Sequence, residues 1–377
     1  MGAEAMKTEK KYWVWLSLIL GASAETDDVF SAFRTPLDVY NASAKERVQS
    51  GVFTAGQQQR FDAVTLADAE KVIAQCEENG WEIVTPDDLI YPAGLRMISD
   101  APVVLYVDGD LSCLRGKVMI AVVGTRNPGI EGVNITHNIC TDLAAAGAVV
   151  VSGGAMGIDC AAHEAALYAG GKTVCVLGCG LGTKYLMENE AMRREISRNG
   201  ALVSEFPPFT PASRITFPKR NRIISGMSHA ILVVEAGERS GSLITAKSAR
   251  TQKRTVFAIP GSVTTSAYTG ANRLLSEGAT AVMTAREILA PFSDMYPDSL
   301  NMELIGTIKY AENSDDLPEG IDPDMAKVYN CLGNEPVHFD DIIAATGLSQ
   351  TQVVTAIMQL EMAELVIETE SKKYILK

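Results

Sequence analysis

The sequence predicts an α/β protein with a doubly wound central domain, an N-terminal helical domain and a C-terminal winged helix. The chain has 377 residues, which is enough for two or three domains. Between residues 117 and 290, short apolar runs alternate with helix-like segments, and three helix-like segments followed by two strand-like ones end the chain. Hydrophobic residues make up 47% and charged residues 21%, an ordinary globular composition.

Residues 7–85 predict the N-terminal helical domain. Their composition favours helix, and apolar residues recur with a helical period over residues 63–76. Three lysines precede an apolar stretch at 13–20 and small residues follow it, an order that also resembles a secretory signal peptide. Because Trp13 and Trp15 lie in this short stretch, we favour a first helix that packs its aromatic side chains in a core, with export as the alternative.

Residues 86–290 predict the central domain, beginning with a connecting segment at 86–116 that holds one strand at 103–107. Beyond it, continuous apolar runs alternate with helical segments, which is typical of parallel strands buried on both faces. This pattern predicts a doubly wound α/β domain. The predicted strands are residues 118–123, 148–151, 173–177, 201–204, 230–234, 255–259 and 280–283, and the predicted helices include 134–146, 159–168 and 242–251.

The C-terminal part predicts a linker and a small domain. Prolines and acidic residues at 291–320 indicate the linker. Helices at 323–331, 340–345 and 350–363, with Ser349 as N-cap of the third, and strands at 365–368 and 373–376 form a winged-helix pattern. From Gly320 onward, 9 acidic residues face 4 basic ones, a net charge of −5 that is poor for gripping duplex DNA. We therefore predict a protein-contact role for this domain.

Charge is distributed unevenly along the chain. The formal net charge of −13, taken alone, argues against a nucleic-acid partner. Residues 117–287, however, carry 18 Lys and Arg against 12 Asp and Glu, while the rest of the chain carries 15 against 34. The basic middle is thus a candidate anion-binding region between acidic flanks.

The seven cysteines include no C-x-x-C pair, and the four histidines are scattered. This spacing predicts no zinc site, and it favours buried thiols in a reducing cytosol. The apolar runs are too short for a multi-pass membrane protein. We therefore expect a cytoplasmic protein with no membrane partner.

Most predicted strands of the central domain end in Gly- and Ser-rich loops, and most of these loops open into a helix. In open α/β sheets, ligands bind beyond the carboxyl ends of the strands. Glycine lets backbone N–H groups approach an anion, and a helix N-terminus favours negative charge. Several such loops on one edge predict a phosphate-binding surface. The loops follow residue 123 with Gly124, Thr125 and Arg126, residue 151 with Ser152, Gly153, Gly154, Ala155 and Gly157, and residue 234 with Ser240, Gly241 and Ser242.

Residues 206–234 contain no acidic residue and combine cations with an aromatic side chain. Basic side chains reach phosphates, and an aromatic face can stack a base. With the loops, this segment predicts a site for single-stranded nucleic acid, although Asn221 and Arg222 could equally tie loops together. The candidates in it are Arg214, Phe217, Lys219, Arg220, Asn221 and Arg222.

Signatures of nucleotide cofactors and of catalysis are missing. Gly171-Lys172-Thr173 resembles the end of a P-loop, but the required earlier glycine is replaced by Ala166 and the triplet enters a strand. We therefore expect no bound ATP or NAD cofactor. Asp159, Glu205 and Glu235 are the carboxylates that could catalyse, but none has a Ser or His partner at mechanistic spacing.

Ordered motifs over nearly the whole chain resemble the DprA/Smf family of bacterial DNA-processing proteins. The matching residues include Gly124-Thr125-Arg126, Ser152-Gly153-Gly154-Ala155-Met156-Gly157-Ile158-Asp159, Ser204-Glu205-Phe206-Pro207-Pro208, Phe217-Pro218-Lys219-Arg220-Asn221-Arg222, Ser240-Gly241-Ser242-Leu243-Ile244-Thr245 and Pro260-Gly261 with Gly270 and Asn272.

The resemblance implies an extended Rossmann-like domain that binds single-stranded DNA, forms a homodimer and loads RecA recombinase onto incoming strands in natural transformation, without catalytic activity. It implies that Arg126 and Arg214 hold phosphates, that Phe217 contacts a base, and that the Gly/Ser loops offer N–H groups. Thr245 and Asn272 join the implied site through their motifs. The helical domain would be the SAM-like domain, and the C-terminal domain the winged helix, of family members.

The sequence departs from the family pattern in two places. The family often has Tyr-Pro-Lys near Tyr185, where Leu186 and Met187 stand here, so a lysine contact is missing. The helical domain lacks a clean helix-hairpin-helix Gly-x-Gly.

Two other classes remain as alternatives. One is a nucleotide-hydrolysing enzyme resembling phosphoribohydrolases, whose Pro-Gly-Gly-x-Gly-Thr loop is absent here. The other is a scaffold that senses a small nucleotide. Phe217 with its arginines discriminates, because a polymer site needs this segment and a mononucleotide pocket does not.

Overall fold

A computed structural model describes residues 3–184, 190–310, 321–332, 336–363, 365–369 and 372–376. Contacts divide the chain into two compact units. The larger contains described residues of 1–128 and 132–310, and the smaller contains residues 129–131 and the C-terminal residues from 321 onward. None of the helices in the described part is long and apolar enough to cross a bilayer.

The N-terminal part of the larger unit is helical, as the sequence predicts. Side chains of Thr35, Ser43 and Thr54 close capping boxes at three of the helix starts. Trp13 and Trp15 are buried in a core cluster, which confirms the prediction of an aromatic first helix. The helices are α1 (Ala3–Leu20), α2 (Thr26–Ala32), α3 (Pro36–Asn41), α4 (Ala44–Ser50), α5 (Ala55–Ala63) and α6 (Leu66–Asn79).

A sheet of nine strands, counted over the described residues, forms the centre of the larger unit. Its order is β1-β2-β6-β5-β4-β3-β7-β8-β9, in which β2 runs antiparallel to both of its neighbours, β1 and β6, and the remaining pairs are parallel. The predicted parallel sheet is therefore confirmed. The strands are β1 (Glu82–Val84), β2 (Leu105–Gly109), β3 (Met119–Val123), β4 (Val149–Ser152), β5 (Thr173–Val176), β6 (Ala201–Ser204), β7 (Ala230–Val233), β8 (Thr255–Ala258) and β9 (Thr280–Ala281).

Helices cover both faces of this sheet. Ala121 of β3 packs with residues of α10 and α11 on one face, whereas Ile120 and Val122 pack with residues of α7 and α8 on the other. Because the chain crosses back from β6 to β7 beside β3, the helices that follow β3 and β7 lie on opposite faces. A crevice opens between the carboxyl ends of these two strands. The helices are α7 (Ile130–Ala145), α8 (Ile158–Tyr168), α9 (Glu190–Asn199), α10 (Thr216–Met227), α11 (Ser242–Thr251), α12 (Thr269–Ser276) and α13 (Ala285–Ser293).

The segment predicted as a linker begins with packed residues. Leu300 is buried in the core on the face of the sheet that α7 and α8 cover, and the Tyr296 hydroxyl lies 2.8 Å from Nε2 of His229. Residues 311–320 lie outside the described part of the chain, so the predicted domain boundaries stay predictions.

The smaller unit is a winged helix with its own core around Val328, Ile342, Ile357 and Leu360. The hydroxyl of Ser349 accepts a hydrogen bond from the Gln352 N–H and caps the third helix, as predicted. A short first strand, which the sequence analysis did not predict, joins the two predicted strands. The elements are α14 (Pro323–Cys331), β10 (Val337–His338), α15 (Phe339–Thr346), α16 (Gln350–Met362), β11 (Val366–Glu368) and β12 (Lys373–Leu376), with strand order β10-β12-β11.

Candidate nucleic-acid interface

The crevice between β3 and β7 opens into a cleft of about 590 Å³ at the carboxyl edge of the sheet, which we call the edge cleft. It brings together residues that are far apart in the sequence, from the loops after β3, β4 and β7 and from the start of α10. Many of the predicted site residues line it. The lining includes Gly124, Thr125, Arg126, Ala155, Arg214, Phe217, Arg220, Asn221, Ser240, Gly241, Ser242 and Thr245.

Arg126 and Phe217 form a cation–π pair in this cleft. The guanidinium carbon of Arg126 lies 5.2 Å from the centroid of the Phe217 ring, a cation–π distance. The ring also packs on the loop after β5, since a Cβ built on Gly178 would lie 2.7 Å from its Cδ1 atom. Arg126 is exposed and Phe217 is half-buried. The pair therefore presents a cation and an aromatic surface to the same ligand.

The charge of the cleft is strongly positive. Arg126, Arg214 and Arg239 line it and are exposed to solvent. Among its lining residues in the described part of the chain, the one carboxylate belongs to Asp159, which is buried. Arg239 of the loop after β7 was not among the predicted site residues. Its position directly before Ser240 was the available signal.

The start of α11 forms one wall of the edge cleft. The hydroxyls of Ser240 and Ser242 lie 2.7 Å apart, and the Asn221 side-chain amide donates to the Gly241 carbonyl at 3.4 Å. These contacts fix the loop at the first turn of the helix. The N–H groups that the sequence predicted as phosphate donors are engaged here, because that of Ser242 donates to the Ser240 hydroxyl at 3.4 Å and that of Leu243 to the Ser240 carbonyl at 3.2 Å. The start of α11 therefore contributes its helix dipole to this wall rather than free N–H groups.

The loop after β4 does not offer its N–H groups to a ligand as predicted. The Asp159 carboxylate accepts hydrogen bonds from the N–H groups of Gly153 at 3.2 Å and Ala155 at 3.4 Å. The Ser152 hydroxyl is buried and donates to the Val122 carbonyl at 2.6 Å. An internal carboxylate thus occupies the position that the sequence suggested for a phosphate. Gly154 and Gly157 have positive φ values of 67° and 83°, so they shape this turn.

Arg220 is a structural residue, and its predicted place among the DNA-contacting residues needs correction. It is 4% exposed, and its guanidinium donates to the carbonyls of Gly153 and Val176. Burial lowers the pKa of Arg220 and raises that of Asp159, while the attraction between the two opposes both shifts. The guanidinium therefore binds the ends of β4 and β5 together beneath the cleft.

Arg222 is likewise buried, at 5% exposure, and forms ion pairs with Asp100 and Glu205. Lys219 donates to the Ala22 carbonyl at 3.1 Å. The geometry therefore favours the alternative that Arg222 ties loops together. Asn272 holds the loop after β8, because its side chain donates to the Gly261 carbonyl at 3.0 Å and accepts from the Gly261 N–H at 3.2 Å.

The candidate catalytic carboxylates are all engaged within the protein. Asp159 holds its loop, Glu205 pairs with Arg222, and a Cβ built on Gly132 would lie 2.2 Å from Oε2 of the buried Glu235. Over the described residues, no three His, Cys, Asp or Glu side chains gather to hold a metal ion. Tyr185, Leu186 and Met187, where the family motif differs, lie outside the described residues.

Comparison with known proteins places these features in a family. A family model described as DNA recombination-mediator protein A matches residues 82–293, and a DprA winged helix domain model matches residues 312–369. Protein Smf of Escherichia coli is 34% identical over 353 residues, which span 93% of this chain and 92% of that protein. DNA processing protein DprA of Streptococcus pneumoniae is 41% identical over 54% of this chain and 72% of its own length.

Solved structures agree with the sequence matches. The X-ray structure of DNA processing protein A from Streptococcus pneumoniae superposes with a TM-score of 0.64 at 33% identity, covering 74% of this chain and 97% of that one. DNA processing protein A from Helicobacter pylori, whose structure was described for its single-stranded DNA binding mode, gives 0.52 at 29% identity, covering 57% and 97%. With a family model over more than half of its length and a 34% identical relative aligned over 93% of the chain, the chain belongs to the DprA/Smf family of DNA-processing proteins.

Proposed function

We propose that this chain binds single-stranded DNA in the edge cleft without strong sequence preference and delivers the strand to RecA recombinase during DNA uptake. The observation that carries the binding proposal is the cation–π pair of Arg126 and Phe217 beside the exposed Arg214 and Arg239. Guanidinium groups grip phosphate oxygens, and an aromatic face stacks a base of any sequence. Stacking on Phe217 requires an unpaired base, which favours single strands over duplex.

The burial of the carboxylates supports a binding protein over an enzyme. Asp159 holds the N–H groups of its own loop, Glu205 pairs with Arg222, and Glu235 is 3% exposed, which favours structural roles for these carboxylates over the activation of water. Spreading of the cations over several loops favours a polymer, because one mononucleotide would need only one phosphate site.

Family membership supports the further parts of the proposal. We propose that the protein acts in the cytoplasm as a homodimer. We also propose that it hands the bound strand to RecA, as its resemblance to the DprA/Smf family implies. We also propose that the winged helix contacts protein, since 9 acidic residues against 4 basic ones from Gly320 onward oppose binding to a polyanion.

The DNA-binding proposal is tested with Arg126→Ala and Phe217→Ala in a titration of fluorescent oligo(dT). Each variant should weaken binding by about 1–3 kcal/mol, because a phosphate contact or a stacking surface is lost. Arg115→Ala is the matched control, since Arg115 is exposed just before β3, at the opposite edge of the sheet. Wild-type affinity in both cleft variants would reject the site.

The RecA hand-off needs a separate assay. DNA-dependent ATP hydrolysis by RecA is followed on oligo(dT) already coated with a single-strand-binding protein. Addition of this chain should shorten the lag before hydrolysis, and Arg126→Ala should abolish the effect. An unchanged lag with a wild-type protein that binds oligo(dT) would reject the hand-off and leave DNA binding standing.

A further inference from the structure

We propose that the N-terminal helical domain positions helix α10 through a buried ionic cluster, and that Ser23 and Glu205 are positioning residues for the edge cleft. The cluster, which we call the joint, consists of Arg222, Ser23, Asp100 and Glu205. This inference rests on the proposed function, because it gives the helical domain a part in DNA binding without contact to DNA. The family model for the central domain begins at residue 82, beyond these helices.

The joint is centred on Arg222 of α10. Its Nε donates to the Ser23 hydroxyl at 2.9 Å and lies 3.2 Å from Oδ2 of Asp100, and its Nη2 pairs with Glu205. Ser23 follows α1, Asp100 belongs to the connecting segment before β2, and Glu205 follows β6. One guanidinium therefore holds three separate parts of the larger unit against α10.

The turn that carries Ser23 is itself held firmly by the helical domain. Arg60 donates to the Ile19 carbonyl at 2.9 Å, and Gln57 donates to the Leu20 carbonyl at 3.1 Å. Both donors belong to α5 and satisfy carbonyls at the end of α1, which have no partner inside the helix. Lys219 of α10 then donates to the Ala22 carbonyl in the same turn. The turn is thus a rigid extension of the helical domain that reaches α10 at two points.

The opposite side of α10 is fixed to the sheet. Arg220 and Arg222 are two residues apart and therefore point to nearly opposite sides of the helix. Arg220 binds the Gly153 carbonyl below the cleft, while Arg222 binds the joint. Phe217 lies in the first turn of the same helix, so a change in the tilt of α10 moves its ring relative to Arg126 and Gly178.

The charges of the joint permit a mild test. Two carboxylates share one guanidinium, and burial raises the pKa of both Glu205 and Asp100. Replacement of Glu205 by Gln leaves the Arg222–Asp100 pair in place, so the guanidinium is not left unpaired. Ser23→Ala removes one hydrogen bond and no charge. Both variants are therefore expected to fold.

The experiment compares Ser23→Ala and Glu205→Gln with wild type in the full chain. The matched controls are Ser31→Ala, which removes a hydrogen bond elsewhere in the helical domain, and Glu277→Gln, which removes two surface ion pairs. The position of Phe217 is read without DNA, as the ¹⁹F resonance of incorporated 4-fluorophenylalanine that disappears in Phe217→Leu. Affinity for fluorescent oligo(dT) is measured in parallel, with thermal unfolding as the check of folding.

The proposal predicts that both joint variants shift the Phe217 resonance and bind oligo(dT) several-fold more weakly, whereas both controls match wild type. Joint variants with an unchanged resonance overturn it, and so does a shifted resonance with unchanged affinity. A wild-type protein that does not bind oligo(dT) rejects the proposed function itself. In that case the resonance still decides whether the joint positions Phe217.

Discussion

Four cations at 214–222 look equivalent in the sequence, and the structure divides them by burial. Arg214 is exposed in the cleft, whereas Arg220 and Arg222 are buried and bonded to carbonyls and carboxylates. Arg126 and Phe217 could be predicted as candidate site residues, because Arg126 follows a strand end and Phe217 lies within a basic segment. The buried role of Arg220 could not be predicted, because its partners Gly153 and Val176 come from distant loops that only the folded sheet brings together.

Replacement of Arg220 by Met should destabilise the protein by about 3–5 kcal/mol, because it leaves the Asp159 charge buried without its cation. Urea unfolding followed by circular dichroism measures this loss. The double variant Arg220→Met with Asp159→Asn should recover part of it, since the buried charge is then removed as well. An unchanged urea midpoint, together with weaker binding of oligo(dT), would return Arg220 to the DNA-contacting set.

At the scale of elements, loops of similar composition behave differently. The loops after β4 and β7 are both rich in Gly and Ser, but N–H groups of the first bind the Asp159 carboxylate, whereas N–H groups of the second bind Ser240. Composition predicts both loops as anion sites, because it cannot show that groups of the protein itself engage their N–H groups. Continuous apolar runs made the parallel strands predictable. Strand β1 was not predicted, because its three residues directly follow a helical segment and are too few to show the alternation that distinguishes a strand from a helix.

Gly178 gives an element-level test, because its loop supports the ring of Phe217. A Cβ at this position would lie 2.7 Å from the ring, so Gly178→Ala should displace Phe217. We expect binding of oligo(dT) to weaken by about fivefold, since about 1 kcal/mol of stacking is lost. Gly56→Ala is the control, because a Cβ there meets no atom within 4 Å. Equal affinities of the two variants would mean that the ring's position does not matter.

At the scale of the whole molecule, the net charge of −13 conceals a basic central region. The order of helical domain, sheet and winged helix could be predicted from hydrophobic periodicity. The packing of the residues after α13 onto the sheet could not, because proline and acidic residues give the same composition to a linker and to a packed segment. Leu300 and Tyr296 are the residues that make this segment part of the larger unit.

Removal of the winged helix should leave single-strand binding intact. A chain that ends after Tyr310 keeps every residue of the edge cleft, and the removed part is acidic. We expect its affinity for oligo(dT) to lie within about twofold of the full chain near 0.15 M salt, where charges beyond about 8 Å are screened. Fluorescence anisotropy measures it. A loss of tenfold or more would assign part of the DNA site to the winged helix.

The most direct test of the central claim is a salt series of anisotropy titrations with oligo(dT) of about 30 nucleotides and with duplex of equal length. The account predicts tighter binding to the single strand, with log K falling against log salt by about 0.7 for each phosphate neutralised. It also predicts that Arg126→Ala lowers this slope. Absence of binding at low salt, or equal binding to duplex, would contradict a single-strand site in the edge cleft.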